Sequence, residues 1–280
     1  MAADDVAACE GVWRRAWRTM RERYALPLAP HTDEDLQREQ RRIRHCLVSD
    51  PAGSFVAIAD DRVVGFAQAL VRDELWVLSL FGVEPQAQGN GIGRALLDAA
   101  LVCGGGLRGM ILSSRDPIAM RRYASAGFEL HPALTGYGEV RHERLGPAPD
   151  VREGDGRDLP LAGRIARAVR GAAHGNDIAL LLDEGARLLL HRDGSGFAVL
   201  EERVLLLAAT SDAVAAELLV AALHGVPVGA TTEIGRVTAP QQWALEVAVQ
   251  AGLELHPVGP VALRGFGAPP AAYIPSGSFG

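Results

Sequence analysis

The sequence predicts a mixed α/β fold, laid out as two tandem domains on mostly antiparallel sheets. Three observations predict it. Short apolar runs of strand length alternate with helix-period segments along the whole chain. A strand, a glycine-rich turn and a helix follow one another between Leu75 and Val102. The segment Ala126-Gly127-Phe128-Glu129-Leu130-His131-Pro132 returns as Ala251-Gly252-Leu253-Glu254-Leu255-His256-Pro257, 125 residues later and within the same order of elements.

The elements follow in order. Val6 to Tyr24 carries Val6, Trp13, Trp17 and Met20 at helical spacing, with Pro27 and Pro30 ending the helix. Thr32 suits the N-cap of a charged helix that runs to Ser49. Ser54 to Ala59, a turn at Asp60-Asp61-Arg62 and Val63 to Val71 form an antiparallel hairpin, and Leu75 to Val83 is the third strand. Arg94 to Val102 is a helix stopped by Gly104-Gly105-Gly106. Met110 to Ser114 is a buried strand. Pro117 opens a helix that Gly127 closes, and Phe128 to His131 begins another strand. Proline, glycine and charge mark a linker at 146–150, which divides a first domain, 1–145, from a second, 151–280. The second half repeats the order. It has strands at Val151–Glu153, Arg187–His191, Phe197–Glu201 and Val204–Ala209, and helices at Leu159–Arg170, Asp177–Leu182, Asp212–His224 and Gln241–Ala251.

With 280 residues, 48% hydrophobic and 22% charged, the chain has the composition of a soluble globular protein with a well-buried core. The net charge of −6 gives no reason to expect nucleic acid and suits a cationic acceptor such as an amine. All 28 basic residues are arginine. Cys9, Cys46 and Cys103 form no CxxC pair and, like the eight histidines, no metal-ligand spacing, so no metal and a reducing cytoplasm are expected. The N-terminus has no signal-peptide pattern. The longest apolar stretch, Ala213 to Ala222, contains Glu217 and is too short to span a bilayer.

The chemistry lies in Gln88-Gly89-Asn90-Gly91-Ile92-Gly93 and Arg94. Backbone N–H groups in a turn at a helix start point the same way, and the helix dipole adds positive potential, which makes an anion trap. Glycines let the backbone approach a phosphate without Cβ clashes. A P-loop is excluded because there is no lysine to follow the turn. A dinucleotide fingerprint is excluded by spacing: the third glycine would fall on Arg94 or Leu96.

The remaining pattern, Gln88-x-x-Gly91-x-Gly93 after Val83-Glu84-Pro85, resembles the cofactor signature of the GNAT acyltransferases. Asp116-x-x-Ala119-x-x-x-Tyr123-x-x-x-Gly127-Phe128 resembles a second family stretch, with Asp116 in place of the usual asparagine. The resemblance implies acetyl-CoA as cosubstrate, a splayed central strand pair, and backbone contacts to the pantetheine arm at Phe81 and Val83. It places Tyr123 as the acid that protonates the departing thiolate; a phenol, with pKa near ~10, is protonated at neutral pH and can donate. Glu74 is taken as the base ahead of Asp73 and Ser79, with Trp13, Trp17 and Tyr24 lining the acceptor pocket. The expected activity is acetyl transfer to a primary amine of a small molecule or peptide, by a monomer or homodimer. The alternative is a non-catalytic module that binds coenzyme A or a protein partner.

The second half lacks the glycine turn: only Thr210-Ser211 separates Ala209 from the next helix, and Ala248 stands where the repeat would carry Tyr123. Residues 151–280 therefore read as a degenerate, non-catalytic copy. The first half lacks a strand before its first helix, which the second half can supply by pairing, and the tail Tyr273–Gly280 can reach back to the first half's pocket.

Overall fold

A computed structural model describes residues 1–24, 32–147 and 149–280. Pro27, Pro30 and Ala148 lie outside the described residues. The chain forms two compact units, Met1–Val71 with Trp76–Ile111, and Arg72–Leu75 with Leu112–Gly280. The sequence-based division at 146–150 follows chain order, whereas compactness divides the chain at 111/112.

The first unit opens with helix α1 (Val6–Arg23) and α2 (Asp33–Ser49), with no strand before α1. Thr32 caps α2 as its residue type predicts: its hydroxyl accepts from Asp35 N at 3.1 Å, and the Asp35 carboxylate accepts from Thr32 N at 2.8 Å. Strands β1 (Ser54–Ala59), β2 (Arg62–Arg72), β3 (Leu75–Val83) and β4 (Arg108–Leu112) are neighbours in that order. Asp60 and Asp61 both take positive φ, 47° and 56°, the handedness a two-residue hairpin turn needs. Val6, Cys9 and Val12 of α1 and Ile43 of α2 bury against Phe66 and Leu80, which fixes the helices over the sheet. Helix α3 (Ile92–Cys103) follows β3 and starts two residues earlier than the sequence suggests. Its last turn closes over Trp76, whose indole N–H donates to Ala100 O at 2.8 Å.

The second unit contains α4 (Pro117–Ser125), β5 (Glu129–Glu139), β6 (Val151–Gly154), α5 (Leu159–Arg170) and α6 (Asp177–Asp183). It continues through β7 (Arg187–His191), β8 (Gly196–Leu200), β9 (Val204–Ala209), α7 (Asp212–His224), β10 (Thr231–Val237), α8 (Gln242–Gln250), β11 (Glu254–Arg264) and β12 (Tyr273–Ile274). One sheet runs β12-β9-β8-β7-β6, each neighbouring pair antiparallel. In the other, β5 lies between β11 and β10, antiparallel to both.

Four strands depart from the sequence reading, which names no strand at β10, β11 or β12 and only the start of β5. Strand β10 carries Glu233, Gly235 and Arg236 and gives no clear alternation, so sequence pattern alone misses it. Strand β5 continues through Pro132 to Glu139. Proline has no N–H for a ladder, and here the ladder yields: Gly259 and Pro260 bulge opposite Pro132, between the pairs Val258↔Ala133 and Val261↔His131.

That ladder also supports the internal repeat. Val258 and Ala133 are 125 residues apart and face one another, so equivalent positions of the two copies meet at the centre of the β5–β11 ladder. The two strands therefore pair as the halves of an approximate two-fold. The repeated His–Glu pairs survive on each copy, His131 with Glu129 at 3.8 Å and His256 with Glu254 at 3.2 Å.

Candidate active site

The turn at 88–93 is an exposed glycine corner. Gly89 and Gly91 take φ of 87° and 81°, where a side chain would be strained. Beside either, a Cβ would meet nothing within 4 Å, so the space in front of the turn is open. Gly91 is the N-cap of α3 and supplies no side-chain cap. Arg94 N and Ala95 N both donate to Gly91 O, at 2.9 and 3.0 Å, so helical bonding begins only there. The N–H groups ahead of them belong to the set a helix start leaves unpaired. Gly93 sits against Phe81 and Val83, where a Cβ would be at contact distance, 3.4 and 3.5 Å. Arg94 is exposed and lies 3.6 Å from Asp98.

Gln88 turns back: its amide donates to Val83 O at 3.1 Å and ties the turn to the strand end. Glu84, the next residue, is buried and accepts two bonds from Arg15 Nε, at 2.9 and 3.1 Å, which clamps α1 to the exit of β3. The position of Arg15, inside an arginine-rich helix, gives no sequence signal for this role. Trp13 and Trp17, also on α1, stack at 5.7 Å with an interplanar angle of 9°, Arg21 stands over Trp17, and both tryptophans stay half-buried. Tyr24 is half-buried just past the end of α1.

Tyr123 lies in the second unit, in α4, and is buried. Burial pushes its phenol well above the ordinary value; Asp116 pushes it further, and Arg122 and Arg236 act in the opposite sense. It stays protonated through the physiological range. Asp116 caps the helix, its carboxylate accepting from Ile118 N at 3.0 Å, with Pro117 in the first turn. That is a structural use for the acidic residue found in place of asparagine.

Asp73 and Glu74 form the exposed turn between β2 and β3. Asp73 is engaged by Arg167 Nε at 2.9 Å and Ala173 N at 2.8 Å, and these bonds, the backbone one foremost, hold its carboxyl below the usual range. Ser79 lies 3.5 Å from the Cys46 sulfur. Burial pushes the Cys9 thiol up to about 12, which leaves no thiolate for an acyl-cysteine route through that residue. Among the described residues no His/Cys/Asp/Glu group is arranged to hold a metal, and no helix is long and apolar enough to cross a membrane.

The equivalent corner in the second half is closed. Helix α7 starts at Ser211, whose hydroxyl accepts from Val214 N at 3.3 Å, so a side chain occupies the place that Gly91 leaves open. Ala248 packs against Gly136, where a Cβ would already stand 3.0 Å away, so the tyrosine's counterpart has no room for a ring. The tail folds into its own unit. Tyr273 OH donates to Gly280 O at 2.6 Å, and the buried Arg170 donates to Phe279 O at 3.1 Å.

Residues 14–128 match the acetyltransferase (GNAT) family model. A putative acetyltransferase from Pyrococcus horikoshii is similar over 100% of this chain and 94% of its own, with 18% identity and a TM-score of 0.77. A tandem GNAT protein from the clavulanic acid biosynthesis pathway is similar over 94% of this chain and 96% of its own (15% identity, TM-score 0.54). Eis1 from Mycobacterium abscessus is similar over 94% of this chain and 71% of its own (15% identity, TM-score 0.55). The search of curated proteins gave no match. The family match thus lies in residues 14–128, and over the whole chain the likeness to these solved structures is one of fold.

Proposed function

We propose that this protein is an N-acetyltransferase that moves the acetyl group of acetyl-CoA to a primary amine of a small molecule or peptide, in the cytoplasm. The observation that carries this is the open, uncapped glycine corner at the start of α3, within a domain that matches the acetyltransferase family. Its unpaired N–H groups and the helix dipole suit a pyrophosphate, and Gln88 to Arg94 are the residues that hold it. The backbone of Phe81 and Val83 receives the pantetheine arm, and Asp116 stiffens the start of the helix that carries Tyr123.

The amine attacks the thioester carbonyl directly, the C–N bond forms, and the C–S bond breaks. Tyr123 gives its proton to the departing sulfur, and the proton lost by the amine leaves through Glu74 or water. A buried phenol is protonated at working pH, which suits a donor. Trp13, Trp17 and Tyr24 wall the acceptor side, and the second half serves as scaffold.

The test is thiol release from acetyl-CoA against a panel of primary amines and N-terminal peptides. Amine-dependent release is expected. Tight acetyl-CoA binding with no transfer to any acceptor would favour a coenzyme A-responsive module.

A further inference from the structure

Helix α1 meets strand β3 at two points, both at the strand end that leads into the glycine corner. The first is Gly82. A Cβ there would stand 3.6 Å from the Trp13 Cα and 3.3 Å from the Phe66 ring, so the backbone of α1 lies directly on the strand between Phe81 and Val83. The second is Glu84. Arg15 holds its carboxylate through Nε, at 2.9 and 3.1 Å, and through a further bond from Nη2, so one guanidinium fork grips one buried carboxylate.

The helix makes room for that grip. Gly11 lies one turn before Arg15, buried inside α1, where glycine is disfavoured relative to alanine. A Cβ at that position would come within 3.0 Å of an Arg15 guanidinium nitrogen. The absent side chain leaves the space in which the guanidinium lies back along the helix.

Glu84 also anchors the strand exit. Its N–H donates to Val64 O of β2 at 2.8 Å, and Gln88 returns to Val83 O at 3.1 Å. The strand end is therefore tied to β2, to the turn and, by Arg15, to α1. On α1, Arg15 lies between Trp13 and Trp17, the stacked pair of that helix.

We propose that Arg15 is a positioning residue that couples the two sides of the site. It holds the Trp13–Trp17 pair in register with the Val83 strand end, so that acetyl-CoA bound at the corner sets the wall against which the acceptor rests. This rests on the reading of the corner as the cofactor side and of the tryptophans as the acceptor side. A buried carboxylate keeps its counter-charge, so a shift of Glu84 as the turn closes on a phosphate carries Arg15, and α1 with it. The coupling is reciprocal: a bound acceptor tightens acetyl-CoA by the same factor.

The experiment incorporates 5-fluorotryptophan into the full chain, whose four tryptophans give four fluorine NMR signals, assigned by replacing one tryptophan at a time with phenylalanine. Acetyl-CoA is titrated into wild type, R15K and the double variant R15M/E84Q, in which neither charge is left without its partner. In wild type the Trp17 signal is expected to shift along the calorimetric saturation curve. In R15M/E84Q the shift is expected to be lost, with acetyl-CoA affinity within about twofold of wild type. The acceptor KM, for the amine of the panel that turns over fastest, is expected to rise about tenfold with kcat little changed, and R15K to recover part of both effects. R15Q/E84Q serves where R15M/E84Q does not fold; failure of both to fold overturns the proposal and makes the pair a brace for the fold alone. A Trp17 signal that follows acetyl-CoA equally well without the pair overturns it too, as does one that never responds in wild type. Should no amine turn over while the Trp17 signal still follows acetyl-CoA through Arg15, the transfer reading fails and the coupling stands. Absence of acetyl-CoA binding removes the cofactor reading and this inference with it.

Discussion

Tyr123 and His174 are both buried titratable groups, and burial acts on them in opposite senses. Desolvation disfavours the charged form, so the phenol is pushed up and the imidazole down. For Tyr123 the outcome is a phenol that keeps its proton. Tyr123→Phe is expected to lower kcat by about 10²-fold with acetyl-CoA affinity unchanged, measured by stopped-time assay and calorimetry; an equal loss of binding removes the acid assignment. His174 pairs with Tyr273 OH at 3.1 Å and stands near Arg170 and Arg72, which, after burial, further lower its value. Its folded pKa is below the unfolded one, so the unfolded chain binds the proton first as pH falls. The neutral form favours folding fully above about pH 6.5, and that advantage shrinks as pH drops below it, by at most about 1.4 kcal/mol per unit. Urea unfolding at pH 5.0 and 7.5 should show this slope, and His174→Gln should flatten it. Equal slopes in both proteins would remove His174 as the cause.

At the level of elements, two helix starts carry the contrast between the halves. Helix α3 begins on a left-handed glycine with open space before it, and α7 begins on a serine that caps itself. Gly91→Ala is expected to cost about 1 kcal/mol of stability from backbone strain and to weaken acetyl-CoA binding at least several-fold, because a methyl group enters the phosphate's approach. Ser211→Ala is expected to cost about 1 kcal/mol through the lost cap and to leave acetyl-CoA binding untouched. Thermal melts with and without acetyl-CoA separate the two; loss of binding in Ser211→Ala would contradict the assignment of a single cofactor corner. The start of α7 at Asp212 was legible in the sequence and that of α3 is read two residues late, at Arg94, while the serine cap carried no signal that was read. The bulged β10 was not legible, because what holds Thr231–Val237 as a strand is its partner β5, through pairs such as Ile234↔Gly136, rather than its own pattern.

At the level of the whole molecule, β5 is flanked by β11 and β10, both from beyond the linker. Cutting the chain at the linker therefore strips β5 of both neighbours and leaves two open strand edges. Residues 1–147 and 149–280 produced separately are expected to give no cooperative melt, while their co-expression restores one, read by circular dichroism and calorimetry. A cooperative melt from the first fragment alone would show that β5 does not need its partners.

The sequence by itself determined the strand–glycine corner–helix unit, the capped helices, the 125-residue repeat and the resemblance to a family, because each is written in local backbone preference or in spacing along the chain. Only the tertiary structure decided that β5 and β11 pair about equivalent residues, that Asp116 serves as a cap, that Glu84 is clamped by Arg15, and that the Arg236 guanidinium donates to Ser113 O, just past the end of β4. Those outcomes depend on which strand edges and buried charges meet after the chain collapses, and such meetings join residues a hundred positions apart that carry no mark of one another in the sequence.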